Sequence, residues 1–189
     1  MKPVIKKGGR KTQHMRSVKE TQAYLFELLV ALDAFCEKNG IHYSLCGGTA
    51  LGAVRHRGFI PWDDDADVMM TRAEYEKFIR TFRKSRPEEY ILTGKIWVPR
   101  FTRKDNPYRE QESGCVDIFI MDRLPDSAFA AKLKILLLKL LQGMMKKEID
   151  YEKYSLAQKL LVGVTHLMGL PFSDKRKRRW YRKASMMGR

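Results

Sequence analysis

Hydrophobic positions along the chain recur with two different periods, and the switches between them mark out the elements. From Val18 onward, Leu25, Leu28, Leu29, Leu32, Phe35 and Cys36 fall at helical spacing, which predicts a helix over about 17–38. Ser17 and Glu20 supply a capping box at its start, and Asn39-Gly40, a pair that favours the left-handed conformation, stops it. The apolar run 41–46 reads as a strand, Gly47-Gly48-Thr49 as a tight turn, and 50–54 as the start of a helix. Val68-Met69-Met70 reads as a second strand. Thr71 and Glu74 form a capping box for a helix through about Lys84, with Tyr75, Phe78, Ile79 and Phe82 on one face. Beyond Pro87 come two expected strands, 90–93 and 96–102, a polar loop 103–113, and a β-rich run 114–122. From Ser127 the pattern is helical again, over 129–146 and 154–168. This order predicts an α+β fold in which a small mixed β-sheet is flanked by helices and followed by a C-terminal helical segment.

Composition changes this picture little, whereas charge changes it more. A chain of 189 residues that is 44% hydrophobic and 31% charged has the means to build a core, and a disordered protein is excluded. The net charge of +15 is concentrated at the ends: residues 1–19 hold seven Lys or Arg and no acid, and 174–189 hold eight with Asp174 alone against them. Four segments are expected: a basic N-terminal segment 1–19, a catalytic core 20–125, a helical hairpin 126–173 and a basic C-terminal segment 174–189. A nucleic-acid-binding domain spreads its positive charge over a folded face, so no nucleic acid partner is expected. The expected contact is peripheral, with an anionic membrane surface; solvated tails are the alternative. The two C-terminal helices are expected to pack on the core, although their Lys and Leu content also suits a membrane interface.

Cys36, Cys46 and Cys115 sit in apolar runs without metal-binding spacing, which reads as reduced thiols in a cytoplasmic protein. The N-terminus is basic without an apolar core, so no signal peptide is expected. The longest apolar stretches, 135–141 and 160–170, fall short of the roughly 20 residues needed to span a bilayer. A cytoplasmic protein, peripheral at the inner face of the membrane, is the expectation.

The chemistry is concentrated in LCGGTALGAVRHRGFIPWDDDADVMM, residues 45–70. Asp63, Asp65 and Asp67 lie at i, i+2 and i+4, and the apolar run Val68-Met69-Met70 that follows suggests a strand on which Asp65 and Asp67 point the same way, roughly 6.5 Å apart. Hard divalent cations bridge carboxylates over such a span. Together with Asp64 these make four carboxylates within five positions, which repel one another unless a cation offsets them. Gly47-Gly48 lets backbone amides approach a phosphate at a helix N-terminus, with Thr49 as N-cap or hydroxyl donor. Arg55, His56 and Arg57 follow closely enough in sequence to add charge there. Asp117, flanked by Val116 and Ile118, is expensive to bury unless it meets a cation or donors; the alternative is an edge residue facing water. Trp62 either orders the acidic turn, faces a ligand or packs in the core. His166 reads as a core or rim residue of its helix.

The stretch GGTALGAVRHRGFIPWDDDADV, followed by Arg72-Ala73-Glu74-Tyr75-Glu76-Lys77-Phe78, resembles the LicD family of phosphocholine and related phosphoryl-alcohol transferases. That family is similar in signature to fukutin-type proteins and belongs to the nucleotidyltransferase superfamily. The resemblance spans roughly 21–125 and is most specific over 45–78. It implies a nucleotidyltransferase-like core in which Asp117 joins Asp65 and Asp67 as the catalytic, metal-binding set for Mg²⁺ or Mn²⁺. It further implies that Gly47, Gly48, Thr49, Arg55, His56 and Asp63 bind the donor and its phosphates, with Asp117 or Asp63 orienting or deprotonating the attacking hydroxyl. The implied reaction moves a phosphoryl-alcohol group from a CDP-linked donor to a sugar hydroxyl of a cell-surface glycan, of lipopolysaccharide, teichoic acid or capsule type, releasing CMP. Two alternatives remain: a nucleotidyltransferase that releases pyrophosphate, and a non-catalytic basic membrane-surface protein with a degenerate core. The Tyr-Gly-Asp type of motif seen near the family's C-terminus is missing, which implies a short or truncated member.

Overall fold

The computed structural model describes residues 17–85, 87–108, 113–145 and 156–188. Most of the N-terminal basic segment, part of the loop 103–113 and the connection between the two expected C-terminal helices lie outside these residues. Two compact units divide the chain, one ending at Met70 and resuming over Glu74–Phe119, the other formed by Thr71–Ala73 and Ile120–Arg189.

In the first unit α1 (Val18–Lys38) opens with the expected capping box: Ser17 N–H donates to Glu20 and Glu20 N–H donates to the Ser17 hydroxyl. Its buried side chains Leu25, Leu28, Leu32 and Cys36 recur at the spacing of one helix face. The strand expected over 41–46 shrinks to β1 (Ser44–Leu45). Its first residues are committed elsewhere: Ile41 N–H donates to Cys36 C=O to close α1, and His42 N–H donates to the Glu74 carboxylate. Then follow α2 (Gly47–His56), β2 (Ala66–Thr71), α3 (Arg72–Ser85), the antiparallel hairpin of β3 (Tyr90–Lys95) and β4 (Val98–Arg103), and β5 (Val116–Met121).

The strands form one mixed sheet in the order β1-β2-β5-β4-β3, so β2 and β5, far apart in sequence, are neighbours. Ala66, Val68 and Met70 of β2, Phe101 of β4, and Val116 and Ile118 of β5 face a core completed by α1 and by Phe78 and Phe82 of α3. Side chains alternate along a strand, so burying these residues turns Asp67 and Asp117 to the opposite face, side by side on adjacent strands. This alternation is the physical origin of the site.

The second unit is helical. Here α4 (Ala128–Met144), capped by Ser127, carries a buried lysine, Lys134, whose ammonium donates to the carbonyls of Arg123 and Met187 at 2.6 and 2.7 Å. Close approach to α5 (Leu156–Gly169) is set by glycine: a Cβ on Gly143 would collide with the Thr165 hydroxyl. The basic segment from 174 onward, to which the sequence reading gave no element, forms α6 (Asp174–Ser185) with Ser173 as N-cap. Its buried positions Lys177, Tyr181, Ala184 and Ser185 do have helical spacing, but two of the four are polar and hide the stripe. Lys177 donates to Met144 C=O and pairs with Asp174, and Tyr181 OH accepts from Gln142. Asp122, the last residue of the run 114–122, is held by Arg72 through two charge-assisted bonds of 2.7 and 2.8 Å. No helix among the described residues is long and apolar enough to cross a membrane.

Candidate active site

Helix α2 begins at Gly47 with Cys46 as N-cap, and Cys46 provides no side-chain cap. The first amides of the helix are those that an α-helix leaves without an internal partner, so its positive end is open to acceptors. Gly47 has φ +55°, and a Cβ built there would lie 2.9 Å from Asp67 Oδ2. One built on Gly48 would overlap Asp63 Oδ2. The glycine pair therefore admits two carboxylates against the start of a helix, and no larger residue fits without displacing them. Gly52 brings the same helix onto the turn 58–60, where a Cβ would stand 2.6 Å from Gly58 C=O. Gln22 of α1 ties down that turn by donating to the carbonyls of Ile60 and Asp63 at 2.9 and 2.8 Å.

Thr49 is not the N-cap expected from the sequence. It lies in the first turn, buried, and its hydroxyl accepts the Asp67 N–H at 2.8 Å while Cys46 N–H donates to Asp67 C=O at 3.1 Å. The helix start and the strand that carries Asp67 are thereby joined at one residue. A second difference concerns Asp65, which precedes β2 and is exposed instead of sharing a strand face with Asp67. On the β1 side the ladder pairs Ser44 with Met69 and Leu45 with Val68, and the strand itself starts at Ala66, one residue after Asp65. Trp62 is 77% exposed, so the core-packing reading of that residue does not hold.

The carboxylates of Asp63, Asp64 and Asp65 each bring an oxygen within 4.8 Å of the others. Asp64 was not singled out by sequence; its membership follows from the turn that gathers three consecutive acids. Asp65, Asp67 and Asp117 do not draw their oxygens that close, but they act on one another electrostatically. Burial and then the charges of Asp117, Asp65 and Asp63 push the Asp67 carboxyl up to about 6. Burial, followed by Asp64 and Asp63, raises Asp65 as well. Asp117 is raised by burial in spite of Arg100, whose Nε pairs with its Oδ1 at 2.9 Å across the β4–β5 ladder. Arg100 is the one cation paired with this acid set among the described ion pairs, and sequence gave no sign of it, because the pairing depends on strand register. An acid group that raises its own protonation in this way is short of positive charge. Its donors are all hard oxygens, which fits Mg²⁺ or Mn²⁺.

Arg55 and His56 lie exposed in the last turn of α2. Eight or nine residues of helix set them about 12 Å from the glycine pair along the axis, where only an extended ligand reaches both. Beside Asp117, an open groove of about 500 Å³ runs over the outer face of β3, β4 and β5, lined among others by Trp97, Arg100, Thr102, Lys104 and Phe119.

Comparison with known proteins matches the part of the chain that carries these residues. The LicD/FKTN/FKRP nucleotidyltransferase domain matches residues 40–130, the span that carries α2, β2, Asp117 and Arg100. The lipopolysaccharide cholinephosphotransferase LicD of Haemophilus influenzae is 38% identical over 123 residues, 58% of this chain and 46% of the relative. An uncharacterized protein of Rickettsia typhi is 33% identical over 103 residues, 54% of this chain and 30% of that protein. The human ribitol 5-phosphate transferase FKRP is 41% identical over 54 residues, 29% of this chain and 10% of the relative. The chain thus spans less than half the length of each of these relatives. Residues 40–130, just under half of the chain, match the LicD/FKTN/FKRP nucleotidyltransferase domain, and the named relatives are similar over part of their own length.

Proposed function

We propose that this domain catalyses metal-dependent transfer of a phosphoryl-alcohol group, of the phosphocholine or ribitol phosphate kind, from a CDP-linked donor to a sugar hydroxyl of a cell-surface glycan, with release of CMP. The observation that carries the reading is the confluence of Asp63, Asp65, Asp67 and Asp117 beside the open N-terminus of α2, with Asp67 pushed up to about 6 by its neighbours. The reaction class draws on the printed activities of the two named relatives, one a cholinephosphotransferase and one a ribitol 5-phosphate transferase.

Asp65, Asp67 and Asp117 would hold one or two Mg²⁺ or Mn²⁺ ions, with Asp63 and Asp64 at the edge of the same cluster. Such ions, when bound, neutralise a diphosphate and stabilise the leaving phosphate oxygen. The chain's own groups do the rest. The amides of Gly47, Gly48 and Thr49 present donors to phosphate oxygens at the start of α2. Arg100 orients Asp117 on the sheet face by its 2.9 Å ion pair. Asp117 or Asp63 accepts the proton of the attacking hydroxyl, and for Asp117 the carboxyl raised by burial is better matched to that role than an ordinary one. Arg55 and His56 reach donor atoms that extend along α2. The enzyme works at the cytoplasmic side, where nucleotide-linked donors are made.

Product analysis tests the reading. Incubated with a CDP-linked alcohol, Mg²⁺ and a glycan acceptor, the protein is expected to release CMP in step with transfer. Release of pyrophosphate from CTP instead would establish the nucleotidyltransferase reaction in its place.

A further inference from the structure

The helical unit carries a second feature that the proposed reaction does not use. Each of two neighbouring helices leaves an apolar stripe in solvent. On α4 it consists of Phe129, Leu133 and Leu136, at i, i+4 and i+7, and Phe129 is 78% exposed. On α5 it consists of Leu160, Val164, Leu167 and Met168, with Leu160 71% and Leu167 67% exposed. Neither helix contains an acid, and exposed Lys132 and Lys139 stand beside the α4 stripe. Helix α6 packs on α4 through Tyr181 and Lys177, which places it within about one helix diameter, and it exposes Lys175, Arg178, Arg179 and Lys183 with Asp174 as its only acid. Apolar side chains flanked by lysines, next to a strongly cationic helix, form the pattern of a surface that rests in a lipid headgroup layer.

We propose that α4, α5 and α6 form a docking surface for an anionic lipid bilayer, with the two leucine-rich stripes entering the headgroup–acyl boundary and the cations of α6 meeting lipid phosphates. Charge decides between this occupant and a second copy of the chain: self-association through the same face would set two cationic α6 helices against each other. Length decides against insertion, because α4 and α5 run for 17 and 14 residues and a span needs about 20. The docking surface is independent of the reaction proposed above, so failure of either leaves the other standing.

Vesicle sedimentation with the full chain is the test. Vesicles of phosphatidylcholine containing about 30% phosphatidylglycerol are expected to bind it at least tenfold more tightly than phosphatidylcholine alone, with affinity falling as salt rises. Leu160→Glu with Leu167→Glu, and separately Arg178→Glu with Arg179→Glu, are each expected to weaken binding at least tenfold while the thermal midpoint stays within about 2 °C, since all four side chains are exposed. Lys132→Glu with Lys139→Glu provides a further arm should either pair fail to fold. Equal affinity for the two vesicle types overturns the proposal, as does no sedimentation at low salt. A dimer in light scattering that the leucine substitutions dissociate also overturns it, and assigns the face to a second copy.

Discussion

Asp67 in the sheet unit and Asp122 in the helical unit are both half-buried aspartates at the margin of an apolar strand, yet their surroundings are opposite. Asp122 meets a guanidinium: Arg72 grips both of its oxygens at 2.7 and 2.8 Å, and only 11% and 18% of the two side chains is exposed. Asp67 meets other acids. Asp117, Asp65 and Asp63 all act to raise it, while its backbone is held by the Thr49 hydroxyl and Cys46 N–H. The helical unit satisfies its buried charged groups from within itself, Asp122 with a guanidinium and Lys134 with two carbonyl acceptors. The acid site does so only in part, through Arg100. A charge arrangement whose missing counter-charge must come from outside is the expected signature of a ligand site, whereas a matched one is the signature of structure.

Substitutions on the two sides of this contrast should behave differently. The largest effect on turnover is expected from Asp67→Asn, a loss of about a thousandfold or more in kcat measured by CMP release, because it would remove a carboxylate that the proposed metal-phosphate site relies on. Gly47→Ala comes next. It places a Cβ 2.9 Å from Asp67 Oδ2 at a residue with φ +55°, and should lower donor affinity by about ten- to a hundredfold in calorimetry. Arg100→Gln should cost about tenfold and move the acidic limb of the pH–rate profile upward, since the guanidinium holds down an Asp117 carboxyl already raised by burial. Asp122→Asn should leave kcat unchanged for the folded fraction and instead lower stability by about 2–3 kcal/mol in urea unfolding, because Arg72 loses its charged partner.

The smallest effect is on the metal-free protein. Folded Asp67 keeps its proton up to about 6, while the unfolded chain releases it near the ordinary 3.8, so the folded state binds more protons in between. Raising the pH from about 4 to 6 should therefore destabilise wild type relative to Asp67→Asn, by about 1 kcal/mol once solvent screening is allowed for. Unfolding curves in a chelator at the two pH values measure this, and added Mg²⁺ should remove the difference.

How much of this was legible in the sequence depended on whether the information was local. The α1 cap is a four-residue pattern, and the apolar period of α3 is read within one helix, so both could be read directly and both are found. Asp67 could be singled out because it belongs to an acid series at two-residue spacing that leads into an apolar strand, and Asp117 because Val116 and Ile118 flank it. What placed them side by side, the β2–β5 neighbourhood, is non-local and has no short pattern. Arg100 escaped notice for the same reason, being one of many arginines until the register sets it opposite Asp117. The expected strand 41–46 failed because hydrogen bonds to the α1 end and to Glu74 took its backbone. Helix α6 was hidden because Lys177 and Ser185 occupy half of its buried face.

The most direct test of the central claim, that the acid group beside α2 is a metal-dependent donor site, is calorimetric titration of CDP-choline, CDP-ribitol and CDP-glycerol with and without Mg²⁺, using Asp65→Asn as the control. The account predicts that one donor binds only when Mg²⁺ is present and that the substitution abolishes this binding. Equal binding by wild type and Asp65→Asn, or binding indifferent to Mg²⁺, would contradict it.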